Sequence, residues 1–225
     1  QKQVLGEIFY LLAGREKNDT LEWRDPRPGL VEISHLLKNI HRRLLKALRR
    51  FLYRKMAASK TRSIRPPKLR IDICKAAGSQ VLFVCKGNIC RSPFAERYFQ
   101  LHSHLQCSSA GYYPIPRRRA PENAVTAAKD YNIDLSSHRS QVLSAEMIKL
   151  SDIVLAMDIE NLLEAIEMAP YAKNRMFLLS RFRNRRGPIE IPDPYGNSVR
   201  VFHAVYSDIA GCIDQLLLRC FPKVR

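Results

Sequence analysis

The run QVLFVCKGNICRSPFAE, residues 80–96, constrains the fold of this 225-residue chain more than any other feature, because it sets a cysteine, five residues and an arginine between an apolar strand and a helix start. Val81, Leu82, Phe83 and Val84 are β-branched, aromatic or aliphatic in an unbroken run, which predicts a short buried strand ending at Cys85. Gly87 and Asn88 are residue types that tolerate positive φ, so the chain can curl and aim successive N–H groups inward as an anion nest. Ser92 and Pro93 then open a helix and add its positive end to the same cavity. The expected object is a phosphate trap with a thiol at its floor.

The residue types fit that reading. A cysteine is nucleophilic as its thiolate, which a helix N-terminus and nearby cations stabilise, and Cys85 would have both. Arg91 offers a planar fork of donors that matches two oxygens of a phosphate group and the equatorial oxygens of its transition state. Ser92 can donate a hydroxyl hydrogen to the sulfur and keep it ionised as a leaving group.

Beyond this run, periodicity predicts strands over 80–85, 106–110, 152–157 and 175–179, and helices over 92–105, 121–131, 144–150, 158–169 and 199–221. Alternation of this kind implies an α/β fold, a four-stranded parallel sheet with helices on both faces and the site at the carboxyl ends of the strands. In the last helix Val201, Val205, Ile209, Ile213, Leu216 and Leu217 recur at helical spacing and are expected to face the core. His102 and His104, two apart on a helix, point in different directions and are expected at the surface.

Four further blocks follow in order: SSAG at 108–111, DLSSHRS at 134–140, SDIVLAMD at 151–158 and IPDPYG at 191–196. Together with the first run they resemble the low-molecular-weight protein tyrosine phosphatases, from about residue 79 to about residue 221. The resemblance implies a flavodoxin-like, phosphotyrosine phosphatase I-like fold. It also implies hydrolysis of phosphotyrosine on proteins through a phosphocysteine intermediate, without a cofactor.

On that resemblance the family's general acid falls on Asp193, which Pro192 and Pro194 hold on a stiff loop. Cys85 would attack phosphorus while Arg91 and the amides of Lys86, Gly87, Asn88, Ile89, Cys90 and Ser92 hold the phosphate, and water activated by Asp193 would then release it. Asn88, Ser109 and His138 resemble the residues that brace the loop's strained curl. Cys90 resembles a thiol that traps oxidised Cys85 as a reversible disulfide. Tyr195 would flank the substrate ring, standing alone where many relatives have two tyrosines; Tyr112 and Tyr113 are candidates for the same cleft or for loop packing. Lys86 replaces an apolar or small residue and should draw acidic substrates.

Two other activities share this fold. An arsenate reductase would need a further pair of cysteines between Asp158 and Asp193, and none lies there. A phosphoarginine phosphatase resembles this loop with threonine where Ile89 stands, and isoleucine gives an apolar wall that favours a phenyl ring. A non-catalytic phosphate-binding module would lack Cys85, Arg91 or Asp193, and all three are present. No CxxC or HxxxH spacing argues for a metal.

Six cysteines without regular pairing in a chain that is 46% hydrophobic fit a reduced, cytoplasmic protein with ample core. The net charge of +17 is unevenly spread: residues 36–70 hold thirteen Lys or Arg and no Asp or Glu. Within that stretch Leu36, Leu37, Ile40, Leu44, Leu48, Phe51 and Leu52 share one helical face while Arg42, Arg43, Lys46, Arg49 and Arg50 decorate the rest. The expected organisation is a mainly helical, basic extension over 1–56, a basic linker over 57–78 and the phosphatase-like domain over 79–225. A basic amphipathic helix over 36–55 suits packing on another domain, or an anionic membrane surface, which would place the protein peripherally at the inner membrane. Nucleic acid ranks last, because no array of aromatic stacking residues accompanies the charge. No run of 18 or more apolar residues predicts a spanning helix. A start at Gln1 is what a piece of a longer protein would show. Bacterial relatives often act on tyrosine kinases of polysaccharide export, so the resemblance suggests such a kinase as a phosphotyrosine partner.

Overall fold

The computed structural model describes residues 80–184 and 187–221 and, before them, helical positions 36, 37, 39, 40, 44, 48 and 51. The expected linker over 57–78 and most of the extension lie outside the described residues. The chain divides into two units, Gln1–Lys46 and Ala47–Arg225, and the sheet and the site both belong to the second.

Four strands, β1 (Gln80–Cys85), β2 (Gln106–Gly111), β3 (Ile153–Ala156) and β4 (Met176–Leu178), form one sheet in the order β2-β1-β3-β4. Every pairing is parallel. Among the described residues from 80 onward, five α-helices accompany them: α1 (Arg91–His102), α2 (Glu122–Ala128), α3 (Ala145–Leu150), α4 (Ile159–Met168) and α5 (Val199–Cys220).

The pleat explains why the sheet is covered twice. Val81, Phe83 and Cys85 of β1 join one buried cluster with α1, α2 and α5, while Leu82 and Val84 join the other with α3 and α4. Successive side chains of a strand point to opposite faces, so a strand apolar at every position needs a layer on each side. The chain runs from β1 to β2 on one side and crosses to β3 on the other. That reversal opens a crevice at the carboxyl ends, where Cys85 lies.

Two expectations need correction. Helix α1 stops at His102 rather than at 105, because Ser103 Oγ donates to Phe99 O at 2.9 Å and His102 Nδ1 lies 2.9 Å from Tyr98 O, which occupies the last carbonyls and ends the helix. Val201 is 36% exposed, whereas Phe202, Val205, Tyr206, Ile209, Ile213, Leu216 and Leu217 are buried. The buried stripe of α5 begins at Phe202, whose ring meets Tyr206 edge to face at 5.9 Å, so Val201 falls beside it. His102 and His104 are exposed, as expected.

Candidate active site

The loop after β1 folds around the Cys85 sulfur. Asn88 N donates to Cys85 Sγ at 3.2 Å, and Ser92 Oγ lies 3.0 Å from the same sulfur. Asn88 has φ of 49°, a left-handed conformation that costs a non-glycine residue energy unless its surroundings hold it. Every polar atom of Asn88 is engaged. Its Oδ1 accepts from Gln141 N at 2.8 Å, which fixes the orientation of the amide. Its Nδ2 then donates to Ser92 Oγ at 2.9 Å and to Ser109 Oγ at 2.8 Å. Its carbonyl receives His138 Nε2 at 2.7 Å.

These bonds assign the hydroxyl protons. Ser92 Oγ accepts from Asn88, so its own hydrogen is left for Cys85 Sγ; Ser109 likewise donates onward to Glu96 Oε2 at 2.6 Å. The carbonyl of Asn88 can only accept, so His138 carries its proton on Nε2. Burial pushes the His138 imidazole below its ordinary value, against the opposing pull of that bond.

Gly111, at the end of β2, is where the loop rests. A methyl group there would meet Lys86 O at 2.6 Å, Asn88 N at 2.7 Å and Gly87 C at 2.9 Å, so no larger residue fits under this curl. The glycine of the SSAG block is thus a floor for the loop.

Arg91 is 1% exposed and gathers three acceptors. Its Nη1 donates to Asp158 Oδ2 at 2.7 Å and to Ile191 O at 3.0 Å, and its Nη2 donates to Asp193 Oδ2 at 2.9 Å. Burial alone would lower its affinity for a proton; Cys85, Asp193 and Asp158 more than offset that and hold it above the ordinary arginine range. Its Nε is buried without a protein partner, and among the described residues the amides of Gly87, Ile89 and Cys90 donate to no protein acceptor. An orphaned buried donor is costly, and an anion beside Cys85 would satisfy this set.

The structure joins Cys85, Asn88, Ser92, Ser109 and His138 in one hydrogen-bonded network and Arg91 with Asp193 in a second, and the charge of Cys85 acts on Arg91 across the gap. Ile89 and Cys90 are buried in the core beside α1, and Tyr206 OH donates to Cys90 O at 3.2 Å. Burial first, then the charges of Cys85 and Asp193, push the Cys90 thiol far up, so it rests protonated. Lys86 is exposed, and its carbonyl accepts from Tyr113 N at 2.9 Å. Tyr195 is 58% exposed, with its N–H donating to Asp193 Oδ1 at 3.3 Å. No group of three or more potential metal ligands occurs among the described residues.

Sequence reasoning missed Asp158, Glu96, Gln141 and Ser140. Asp158 follows β3 and caps α4, its Oδ1 accepting from Asn161 N at 2.8 Å while its Oδ2 faces Arg91. A carboxylate between a strand end and a helix start, on the same sheet edge as Cys85, is a signal that the sequence did carry.

Comparison with known proteins agrees with this arrangement. The family described as low molecular weight phosphotyrosine protein phosphatase matches residues 80–223, and the chain belongs to that family. The low molecular weight protein-tyrosine-phosphatase Wzb of Escherichia coli (strain K12) is 35% identical over 130 residues, covering 57% of this chain and 86% of Wzb. Among solved structures, the low molecular weight protein tyrosine phosphatase from T. tengcongensis superposes with a TM-score of 0.58 at 33% identity, covering 63% of this chain and 99% of its own. The YwlE arginine phosphatase from Geobacillus stearothermophilus superposes with a TM-score of 0.57 at 31% identity, covering 63% of this chain and 92% of YwlE.

Proposed function

We infer that this chain hydrolyses phosphotyrosine on proteins, with Cys85 as nucleophile, Arg91 and the loop amides as the phosphate cradle and Asp193 as general acid and base. The observation that carries the reading is the pairing of a sulfur that receives two hydrogen bonds with a buried arginine whose Nε has no protein partner.

In the first step the Cys85 thiolate forms a bond to phosphorus as the ester P–O bond breaks. Asp193 in its acid form gives the departing phenolic oxygen a proton. The donors on Arg91 and the loop stabilise the charge on the equatorial oxygens. In the second step Asp193 takes a proton from water, the water oxygen bonds to phosphorus, and the P–S bond breaks with its electrons returning to sulfur, where Ser92 and Asn88 N donate to it. Asp193 starts this cycle bound to Arg91. An incoming phosphate dianion competes for that guanidinium and frees the carboxyl for proton transfer. Asp158 remains to orient Arg91, and the bracing of Asn88 by Ser109, His138 and Gln141 keeps the loop curled before substrate arrives. Cys90, resting as a thiol in the same loop, would by the family resemblance trap oxidised Cys85 as a disulfide.

Phosphoarginine is the competing substrate, since an arginine phosphatase shares the fold. Ile89 favours the phenyl ring. The test is kcat/KM on matched phosphotyrosine and phosphoarginine peptides: the ratio should favour phosphotyrosine by at least about tenfold, the order that one apolar contact supplies. A ratio favouring phosphoarginine would overturn the substrate assignment.

A second reading concerns the extension. The described helical positions Leu36, Leu37, Ile40, Leu44, Leu48 and Phe51 are all exposed, and the residues around them are basic. An exposed apolar stripe among cations supports peripheral attachment to an anionic membrane, with the phosphatase domain on the cytoplasmic side. No helix among the described residues is long and apolar enough to cross a membrane.

A further inference from the structure

The loop after β2 reads YYPIPRRR over residues 112–119, and it is pinned from two sides. Tyr113 N donates to Lys86 O at 2.9 Å, tying one end to the catalytic loop. At the other end Arg117 N donates to Ser140 O at 2.8 Å, Arg118 N to Ser140 Oγ at 2.9 Å, and Ser140 N to Arg118 O at 2.9 Å. Ser140 is itself buried. The backbone of Arg118 is therefore held by the wall of the site.

The side chain of Arg118 turns toward the loop that surrounds Cys85. Its guanidinium lies over the Tyr113 ring, 4.9 Å from the centroid, and a methyl group built on Gly87 would meet Arg118 Nη1 at 3.1 Å. Its field reaches further in. Burial, Cys85 and Asp193 push the Cys90 thiol up, and Arg91 and Arg118 are the two groups that pull it down. Arg91 already pairs with two carboxylates and keeps only its Nε free, but Arg118 forms no ion pair among the described residues, and neither do Lys86, Arg117 or Arg119. A guanidinium stacked on an aromatic face keeps its in-plane N–H donors available for a second, planar anionic group.

We propose that Arg118 is a specificity-determining residue that binds an anionic side chain next to the phosphotyrosine of the substrate, with Lys86 adding to the potential at the pocket mouth. The shared chemistry is a pair of anionic oxygens, supplied by a neighbouring Asp or Glu or by a second phosphotyrosine. The inference rests on the phosphotyrosine phosphatase reading above. Its chemical reason is that Arg91 takes the reacting phosphate, leaving Arg118, fixed beside Gly87 and without an ion pair, as a guanidinium for the next negative charge along the peptide.

The test compares phosphotyrosine peptides in which the flanking residues are Gln, Glu or a second phosphotyrosine. It uses the full chain and its Arg118→Gln and Arg118→Lys variants. Each kcat/KM is divided by that of the same protein on p-nitrophenyl phosphate, so a general loss of activity cancels. The wild-type protein should favour the Glu or doubly phosphorylated peptide over the Gln peptide by about tenfold, as a charge-assisted pair at a partly exposed site would give. Arg118→Gln should reduce the preference to about twofold, and Arg118→Lys should keep part of it, since the charge remains and the fork does not. A preference for the second phosphotyrosine alone identifies phosphate as the partner, and equal preference for Glu identifies the shared charge. The same peptides are also titrated onto Cys85→Ser by fluorescence polarisation, which reads the preference without turnover. Turnover or binding with equal ratios for wild type and Arg118→Gln overturns the role of Arg118 alone. Neither turnover nor binding of any phosphotyrosine peptide overturns the phosphatase reading and this inference with it.

Discussion

At the scale of single residues the site is a chain of committed hydrogen bonds running from Glu96 through Ser109, Asn88 and Ser92 to Cys85. Asn88 Nδ2 donates to both serine hydroxyls, so each hydroxyl hydrogen is left to point outward, from Ser109 to Glu96 and from Ser92 to the Cys85 sulfur. Asp193 is different, because its side chain is 42% exposed and its partner Arg91 has two other acceptors. A half-exposed carboxyl with one displaceable bond to Arg91 and a long one from Tyr195 N suits proton transfer rather than support. Asp193→Ala should therefore slow hydrolysis of aryl phosphates with poor leaving groups by about a hundredfold and those with good leaving groups far less, measured as kcat over a leaving-group series. An equal loss across the series would make Asp193 a structural partner of Arg91. Cys85 and Arg91 were legible in the sequence because they share one local motif, and Asp193 was reached only through the family resemblance. Asp158 was not singled out although its place between a strand end and a helix start is written in the sequence; its contact with Arg91, 67 positions away, is visible only in the fold.

At the scale of elements, the strands were legible to within a residue or two, β1, β3 and β4 as short apolar runs and β2, which is QCSSAG, without one. Their common face assignment follows from the pleat. Helix ends were less legible, since Ser103 and His102 terminate α1 with side chains that bond to its own carbonyls, a choice no periodicity reveals. The same limit explains Val201. A 3.6-residue period admits it to the apolar stripe of α5, and only the packing of Phe202 on Tyr206 shows which edge of the stripe is buried. The two positions separate in a stability measurement. Ile209 is fully buried, and Ile209→Ala should cost about 2–5 kcal/mol in denaturant unfolding. Val201→Ala should cost less than about 0.5 kcal/mol. Comparable losses at both positions would contradict this assignment of the buried face.

At the scale of the whole molecule, charge and core are separated along the sequence. Residues 79–225 carry nineteen basic and fourteen acidic side chains, whereas residues 36–70 carry thirteen basic and no acidic ones. All of the buried apolar residues among those described lie between Val81 and Phe221. A protein beginning at residue 79 should therefore fold and retain its kcat on aryl phosphates. It should also lose binding to phosphatidylserine-containing vesicles that the full chain binds at low salt, with the binding of the full chain weakening as salt is raised. Vesicle binding that survives the truncation would move the membrane contact into the catalytic domain. The sequence made the extension's composition plain but not its partner, because an amphipathic basic helix presents the same pattern to a lipid surface and to an acidic groove.

The phosphocysteine on Cys85 is the point on which the functional account turns, and it can be observed directly. The full chain is mixed rapidly with a phosphotyrosine peptide, quenched in acid during the first turnover and digested, and the peptides are weighed by mass spectrometry. The phosphate should appear on the peptide containing Cys85, and with p-nitrophenyl phosphate, whose leaving group is good, it should appear in greater amount in Asp193→Ala, where loss of the base slows hydrolysis of the intermediate. Turnover with no phosphate on Cys85 at any time, together with full activity in Cys85→Ser, would contradict the mechanism.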